Sequence, residues 1–204
     1  MFFAQGTGIS IGSFDGLHKG HRLLLNTLIE ECKKDIEDTN IDEIDVNEDG
    51  ETYQENALIK ANAYKGFINK PIIADDSGIE IDALNGKPGL LSARFADEMG
   101  GHQKAMEYII SKVKEKGIDT ARFICNIVLV NQEDKPLVFQ AIIEGKINTS
   151  IEGINGFGYD PIFIPDGQNK TYAELSEDEK NKLSHRARAL GKLILYLRIN
   201  DLAI

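Results

Sequence analysis

Two long apolar runs, ARFICNIVLV (121–130) and LVFQAIIEGKI (137–147), constrain this chain more than any other feature. Each is rich in β-branched and aromatic residues and long enough for a central strand. The polar segment NQEDKP between them is a turn, so the pair predicts adjacent antiparallel strands. A sheet with that much apolar surface must be covered. Helices suited to the task are legible. His102 to Lys116 puts Ala105, Ile109 and Val113 on one face and meets a stop at Gly117. Thr52 and Glu55 form a T-x-x-E capping box that starts a helix at Thr52, with Gly66 as its stop. Ser176 and Glu179 form a second box. The last helix is predicted to carry Leu183, Ala187, Leu190, Ile194 and Leu197 as one core-facing stripe. Shorter strands are predicted at 9–12 (ISIG), within 41–46 (IDEIDV) and at 71–74 (PIIA), with a helix carrying Leu24, Leu25, Leu28, Ile29 and Cys32 after the first. Strands, helices and a hairpin together give an α/β class with a mixed sheet.

Composition narrows the function. The 204 residues suit one domain that buries its own core without disulfides or structural metals. A net charge of −10 speaks against a DNA- or RNA-coating protein, which needs a surplus of Lys and Arg. It leaves room for a nucleotide, which needs only a few local cations. Cys32 and Cys125 lie far apart with no metal spacing, as expected of free thiols in a reducing, cytoplasmic setting. No apolar run approaches the ~20 residues of a membrane span, and MFFAQGTG does not read as a signal peptide. Twelve of the 33 acids fall in residues 30–56, whereas 169–198 is locally basic. This asymmetry suits either two solvated faces or a cleft with an acidic, metal-binding wall and a basic, phosphate-binding one.

Four segments could carry chemistry. Asp75 and Asp76 follow PIIA at a predicted strand end. Adjacent carboxylates there point to opposite faces, so one can be structural and the other can hold a cation or activate water; the alternative is an Asx turn closed by Ser77 and Gly78. In GFGYDP (156–161), glycines flank an aromatic that either stacks on a base or plugs the core. In EKNKLSHR (179–186) the predicted stripe leaves Lys180, His185 and Arg186 off the core face. They are apt for phosphate and for the keto edge of a purine, or simply solvated. GSFDGLHKGH (12–21) is a Gly-rich loop feeding a helix, either a phosphate cradle with His18, Lys19 and His21 or a tight turn.

Five blocks in series resemble the inosine/xanthosine triphosphate pyrophosphatases, the Ham-type family: EDGETYQENALIKANA (48–63), ADDSGIEIDALNGKPGLLSARFA (74–96), FICNIVLV (123–130), GFGYDPIFIPDG (156–167) and TYAELSEDEKNKLSHRARAL (171–190). Residues 9–31, within a unit spanning 1–34, instead resemble the opening strand-loop-helix of the nucleotidylyltransferase domain of bacterial riboflavin kinase/FAD synthetases, with its GxFDGxHxGH motif. The Ham-type family begins with a T-G-N-x-x-K phosphate loop, absent here; Thr7-Gly8 is a partial echo. The chain thus reads as a chimaera, natural or artificial, within a single 1–204 domain whose 41–198 body is ITPase-like.

The Ham-type resemblance implies an elongated mixed β-sheet with flanking helices and a central nucleotide cleft, a homodimer, and Mg²⁺-dependent conversion of (d)ITP and XTP to the monophosphate and pyrophosphate. By motif, Glu48 and Asp76 hold Mg²⁺, and Asp76 is the candidate base. Lys60 and Lys180 meet the triphosphate and Ser77 contacts substrate. Phe157 stacks on the base within a wall of Gly158, Tyr159 and Asp160, and His185 and Arg186 read its 6-keto edge. Two competing readings remain: a nucleotide-binding protein crippled by the missing loop, and a remnant flavin-nucleotide enzyme.

Overall fold

A computed structural model describes residues 44–67, 71–130 and 135–200 in full, and the backbone of three strands nearer the N-terminus. Those strands are β1 (Phe2–Ala4), β2 (Gly8–Ile11) and β3 (Ile36–Asp38). There follow α1 (Tyr53–Lys65), β4 (Ile72–Ile81), α2 (Ser92–Glu98), α3 (His102–Lys116), β5 (Thr120–Val130), β6 (Leu137–Ile147), β7 (Phe163–Pro165), α4 (Glu177–Leu183) and α5 (His185–Ile199). The chain divides into two compact units. The first takes residues 1–76, 125–140 and 186–204, the second 77–124 and 141–185.

In the first unit the strand order is β3-β1-β2-β4-β5-β6. β1 is antiparallel to β2 and β3, while β2 runs parallel to β4 with Ile9 opposite Ile72 and Ile11 opposite Ala74. α1 begins as its capping box dictates: Thr52 Oγ1 accepts from Glu55 N–H at 3.1 Å, and the Glu55 carboxylate accepts from Thr52 N–H at 3.1 Å. Its buried face, Tyr53, Asn56, Ala57, Lys60, Ala61 and Tyr64, recurs at helical spacing. Ala57, Ala61 and Tyr64 pack on Ile72 and Ala74 of β4 and Val128 and Val130 of β5. The strand expected within 41–46 is not present at 44–46, which has no regular structure. The Ile44 N–H is committed to the Tyr64 hydroxyl at 2.9 Å rather than to a ladder.

In the second unit, β4 to β7 lie side by side in an antiparallel arrangement. Its core gathers Ile79 and Ile81, Ile109 and Val113 of α3, and the aromatic group Phe123, Phe163 and Tyr172. The Phe123 and Phe163 rings meet edge-on at 4.8 Å. The helix expected from His102, with its stop at Gly117, is found at those bounds; Gly117 is left-handed at φ 67°.

Two expectations are corrected. The strand predicted at 71–74 runs on to Ile81, so Asp75 and Asp76 lie within β4 and make no Asx turn. The final stripe is also not continuous. Ser184 is extended (φ −68°, ψ 152°), ending α4 at Leu183 before α5 starts at His185. Leu183 packs on the second unit's core, and the buried face of α5 is Ala189, Leu190, Leu193 and Leu197. Ala187 and Ile194 are only half-buried.

Because both capping bonds of α1 meet at Thr52, Thr52→Ala should lower unfolding stability by about 1 kcal/mol. Urea denaturation checks this; an unchanged midpoint would mean that the cap is not stabilising.

Candidate active site

The polar groups of α1 and β4 converge in the first unit. Asp75 and Asp76 are consecutive, so their side chains leave opposite faces of the strand. On one side, Lys60 Nζ reaches Asp76 Oδ1 at 2.9 Å and Glu48 Oε2 at 3.1 Å. Asn56, one helical turn before Lys60, donates from Nδ2 to Asp76 Oδ2 at 3.4 Å. On the other side, Arg186 Nε donates to Asp75 Oδ2 at 3.0 Å, and the Cys125 thiol lies 4.0 Å from the same oxygen. Lys60, Asp75, Asp76 and Asn56 are all buried.

Three carboxylates therefore face two cations. Burial is the main force pushing the Asp76 pKa up to about 6. Lys60 opposes the rise, and Glu48 and Asp75 add to it. For Lys60, burial works to lower the pKa, but Asp76, Asp75 and Glu48 outweigh it, and the ammonium is held in its charged form. Burial, reinforced by Asp75, pushes the Cys125 thiol far above its usual range, so this sulfur is packing material rather than a nucleophile.

A second group assembles in the second unit. Gly156 has φ 78°, and a Cβ there would lie 2.1 Å from Asp160 Oδ2, so only glycine lets the loop close onto that carboxylate. Asp160, buried in the turn Asp160–Ile162, accepts from Phe157 N–H at 2.7 Å and pairs with the Lys180 ammonium. Lys180 Nζ also stands 4.6 Å from the centre of the Phe157 ring and 5.6 Å from that of Tyr172. Phe157 itself is 37% exposed. Gly158 is left-handed at φ 61°. Tyr159 is buried, and its hydroxyl donates to the Ser92 carbonyl at 2.7 Å.

The structure thus unites Glu48, Lys60 and Asp76 in one cluster and Phe157, Asp160 and Lys180 in another. Ser77 follows Asp76 along β4 and is partly buried. His185 differs from expectation. It is buried rather than off the core face, because the break at Ser184 turns its ring flat onto Phe123, with centroids 4.6 Å apart and planes within 3°. His18, Lys19 and His21 lie outside the described residues. Asn56 is the residue that sequence reasoning missed. Its signal was an amide on the same helical face as Lys60, at i and i+4.

Among the described residues, no three His, Cys, Asp or Glu side chains gather into a complete metal cage. Glu48 and Asp76 nevertheless place carboxylate oxygens around one cationic group, Lys60 Nζ. Two carboxylates so placed would suit a hard dication, which prefers oxygen donors.

Comparison with known proteins agrees with this architecture. The Ham1 family profile matches residues 19–196. The dITP/XTP pyrophosphatase of Halalkalibacterium halodurans is 46% identical over 155 residues, 75% of this chain and 80% of that protein. That of Bacillus subtilis is 46% identical over 151 residues, 73% of this chain and 76% of that protein. Among solved structures, the Staphylococcus aureus Ham1 protein superposes with a TM-score of 0.81 at 32% identity, covering 95% of this chain and 100% of that one. The Mycobacterium abscessus nucleoside-triphosphatase / dITP/XTP pyrophosphatase gives 0.71 at 31%, covering 94% and 100%. With residues 19–196 matched by the family profile and its fold matched by solved relatives, the chain belongs to the Ham1 family.

Proposed function

We propose that this chain hydrolyses dITP, ITP and XTP to the nucleoside monophosphate and pyrophosphate, using Mg²⁺. The observation that carries the reading is the sharing of Lys60 by Glu48 and Asp76 at 3.1 and 2.9 Å. Mg²⁺, held by these two carboxylates, would neutralise phosphate charge and favour formation of the attacking hydroxide. A carboxylate with a pKa of about 6 is suited to accept a proton from water near neutral pH. Asp76 is therefore the proposed base, orienting a water toward the α-phosphorus, with pyrophosphate leaving. Lys60 and Lys180 contribute positive charge to the triphosphate, and Ser77 a hydroxyl. Arg186 is oriented by its ion pair with Asp75.

The base is proposed to stack on Phe157, whose backbone Asp160 fixes, with Gly158 and Tyr159 shaping the adjoining wall. His185 and Arg186 are the proposed readers of the 6-keto oxygen. A site that donates to a keto group leaves its donors unpaired against the amino group of adenine, which disfavours ATP. We further propose a homodimer acting on the cytoplasmic nucleotide pool, without nucleic-acid or membrane partners. The sequence lacks T-G-N-x-x-K, which favours low turnover. The family's N-terminal lysine and backbone donors are worth about 3–4 kcal/mol if they act as oxyanion-type donors.

Pyrophosphate release measured from ITP, from ATP and from FMN plus ATP tests the assignment. ITP should be the preferred substrate. Release only with FMN plus ATP would transfer the chain to the flavin-nucleotide class, and release from none would leave a crippled binding protein.

Asp76→Asn should abolish Mg²⁺-dependent hydrolysis while the circular dichroism stays that of the parent. Activity within a few-fold of the parent would remove Asp76 from catalysis. The same variant tests the electrostatics. A folded-state pKa raised from 3.8 to about 6 means that the folded protein holds the proton more tightly. The group's stabilising contribution is then fully present below its unfolded pKa and is lost as pH rises through about 6. In metal-free urea titrations, the stability of the parent relative to Asp76→Asn should grow between about pH 8 and about pH 5; a constant difference would contradict the shift. Phe157→Ala should raise KM for ITP more than it lowers kcat, by about 1–3 kcal/mol in binding. An unchanged KM would mean that the ring does not stack on substrate. Restoring the T-G-N-x-x-K unit should raise turnover, and a Lys19→Ala/His21→Ala double variant should lower it if the histidine loop binds phosphate. A parent already equal to the restored chain would show that the missing loop is not limiting.

A further inference from the structure

We infer that Asn56 is a positioning residue that sets the placement of Glu48 relative to Asp76, and thereby the affinity of that pair for a divalent cation. The inference rests on the reading above in taking Glu48 and Asp76 as the metal-holding pair.

Asn56 is 3% exposed and makes two hydrogen bonds with opposite ends of its amide. Oδ1 accepts from Gly50 N–H at 2.8 Å, and Nδ2 donates to Asp76 Oδ2 at 3.4 Å. Gly50 lies two residues after Glu48. The side chain therefore ties the segment that carries Glu48 to the carboxylate of Asp76. Residue 50 accommodates the tie because it has no side chain: a Cβ there would lie 2.7 Å from Asn56 Oδ1 and 2.8 Å from Glu55 Cβ. Asn56 and Lys60 divide Asp76 between them. Lys60 takes Oδ1 and Asn56 takes Oδ2, so both oxygens of the carboxylate are held. Lys60 also joins Glu48 to Asp76, but by charge. The Asn56 bridge is made by a neutral amide. Partners that orient metal-holding groups without touching the metal typically alter affinity by about 10–100-fold when removed.

A purely structural asparagine would satisfy the partly buried Gly50 N–H and do nothing more. The test separates the two roles by direct metal binding. Mn²⁺ is titrated into the metal-free full-length chain and followed by electron paramagnetic resonance. The titration covers the parent, Asn56→Ala, Asn56→Ser and Tyr64→Phe. The last removes the hydroxyl that receives the Ile44 N–H from the same helix, and serves as a control for loss of a structural bond. Asn56→Ala and Asn56→Ser should weaken Mn²⁺ binding by about 10-fold or more, while Tyr64→Phe stays within about twofold of the parent. The Mg²⁺ concentration for half-maximal hydrolysis of ITP should shift by the same factor, with KM for ITP at saturating Mg²⁺ unchanged. Mn²⁺ affinity within about twofold of the parent in either folded Asn56 variant overturns the inference. So does failure of both variants to fold, since the residue is then scaffold. A parent that binds no Mn²⁺ overturns the metal reading of Glu48 and Asp76, and this inference with it. A parent that binds Mn²⁺ alongside unaffected Asn56 variants overturns this inference alone.

Discussion

Two carboxylates buried side by side in the middle of β4 are the constraint on which much of this structure depends. Removing a charge from water costs several kcal/mol unless a partner answers it. Here Arg186 answers Asp75, and Lys60 with Asn56 answers Asp76. These partners fix more than local geometry. To deliver Lys60 and Asn56, α1 must present a face in which polar residues alternate with Ala57, Ala61 and Tyr64. Alanines at the packing positions let the helix approach the strands closely enough for a lysine to reach inward. To deliver Arg186, α5 must begin where it does, one residue after the extended backbone at Ser184.

The compensation is incomplete, and the imbalance is where chemistry becomes possible. Burial holds the Asp76 pKa up at about 6 against the pull of Lys60, and Glu48 and Asp75 add to the rise. In the second unit the logic is different. Asp160 is buried and spends its charge on Lys180 and on the Phe157 N–H. Its product is a partly exposed aromatic ring held at its backbone, with a cation over its face.

Local signals in the sequence proved reliable where they depend on neighbours. The boxes at Thr52 and Ser176 and the stop at Gly117 involve groups three or four residues apart, and all three are present. The paired apolar runs likewise became β5 and β6. Readings failed where the deciding partner lies far along the chain. Two aspartates after PIIA look like a strand end because charge belongs in water. They lie within the strand because Lys60 is 16 residues away and Arg186 is 111. The 4-3-4-3 stripe from Leu183 to Leu197 reads as one helix because periodicity is blind to a single extended residue. His185 looks solvent-facing from that stripe until its ring meets Phe123. Asn56 escaped notice because an amide on a helix face carries no charge to mark it. The motif blocks, by contrast, named Glu48, Lys60 and Asp76 together, and the fold gathers them.

The central claim is that Asp76 and its neighbours direct water to the α-phosphorus of a purine nucleoside triphosphate. Hydrolysis of ITP in oxygen-18 water, with both products analysed by mass spectrometry, tests it most directly. Attack at the α-phosphorus places the label in inosine monophosphate and leaves pyrophosphate unlabelled, and this is the predicted result. Label in pyrophosphate, or products that are inosine diphosphate and inorganic phosphate, would place the attack at another phosphorus and contradict the account.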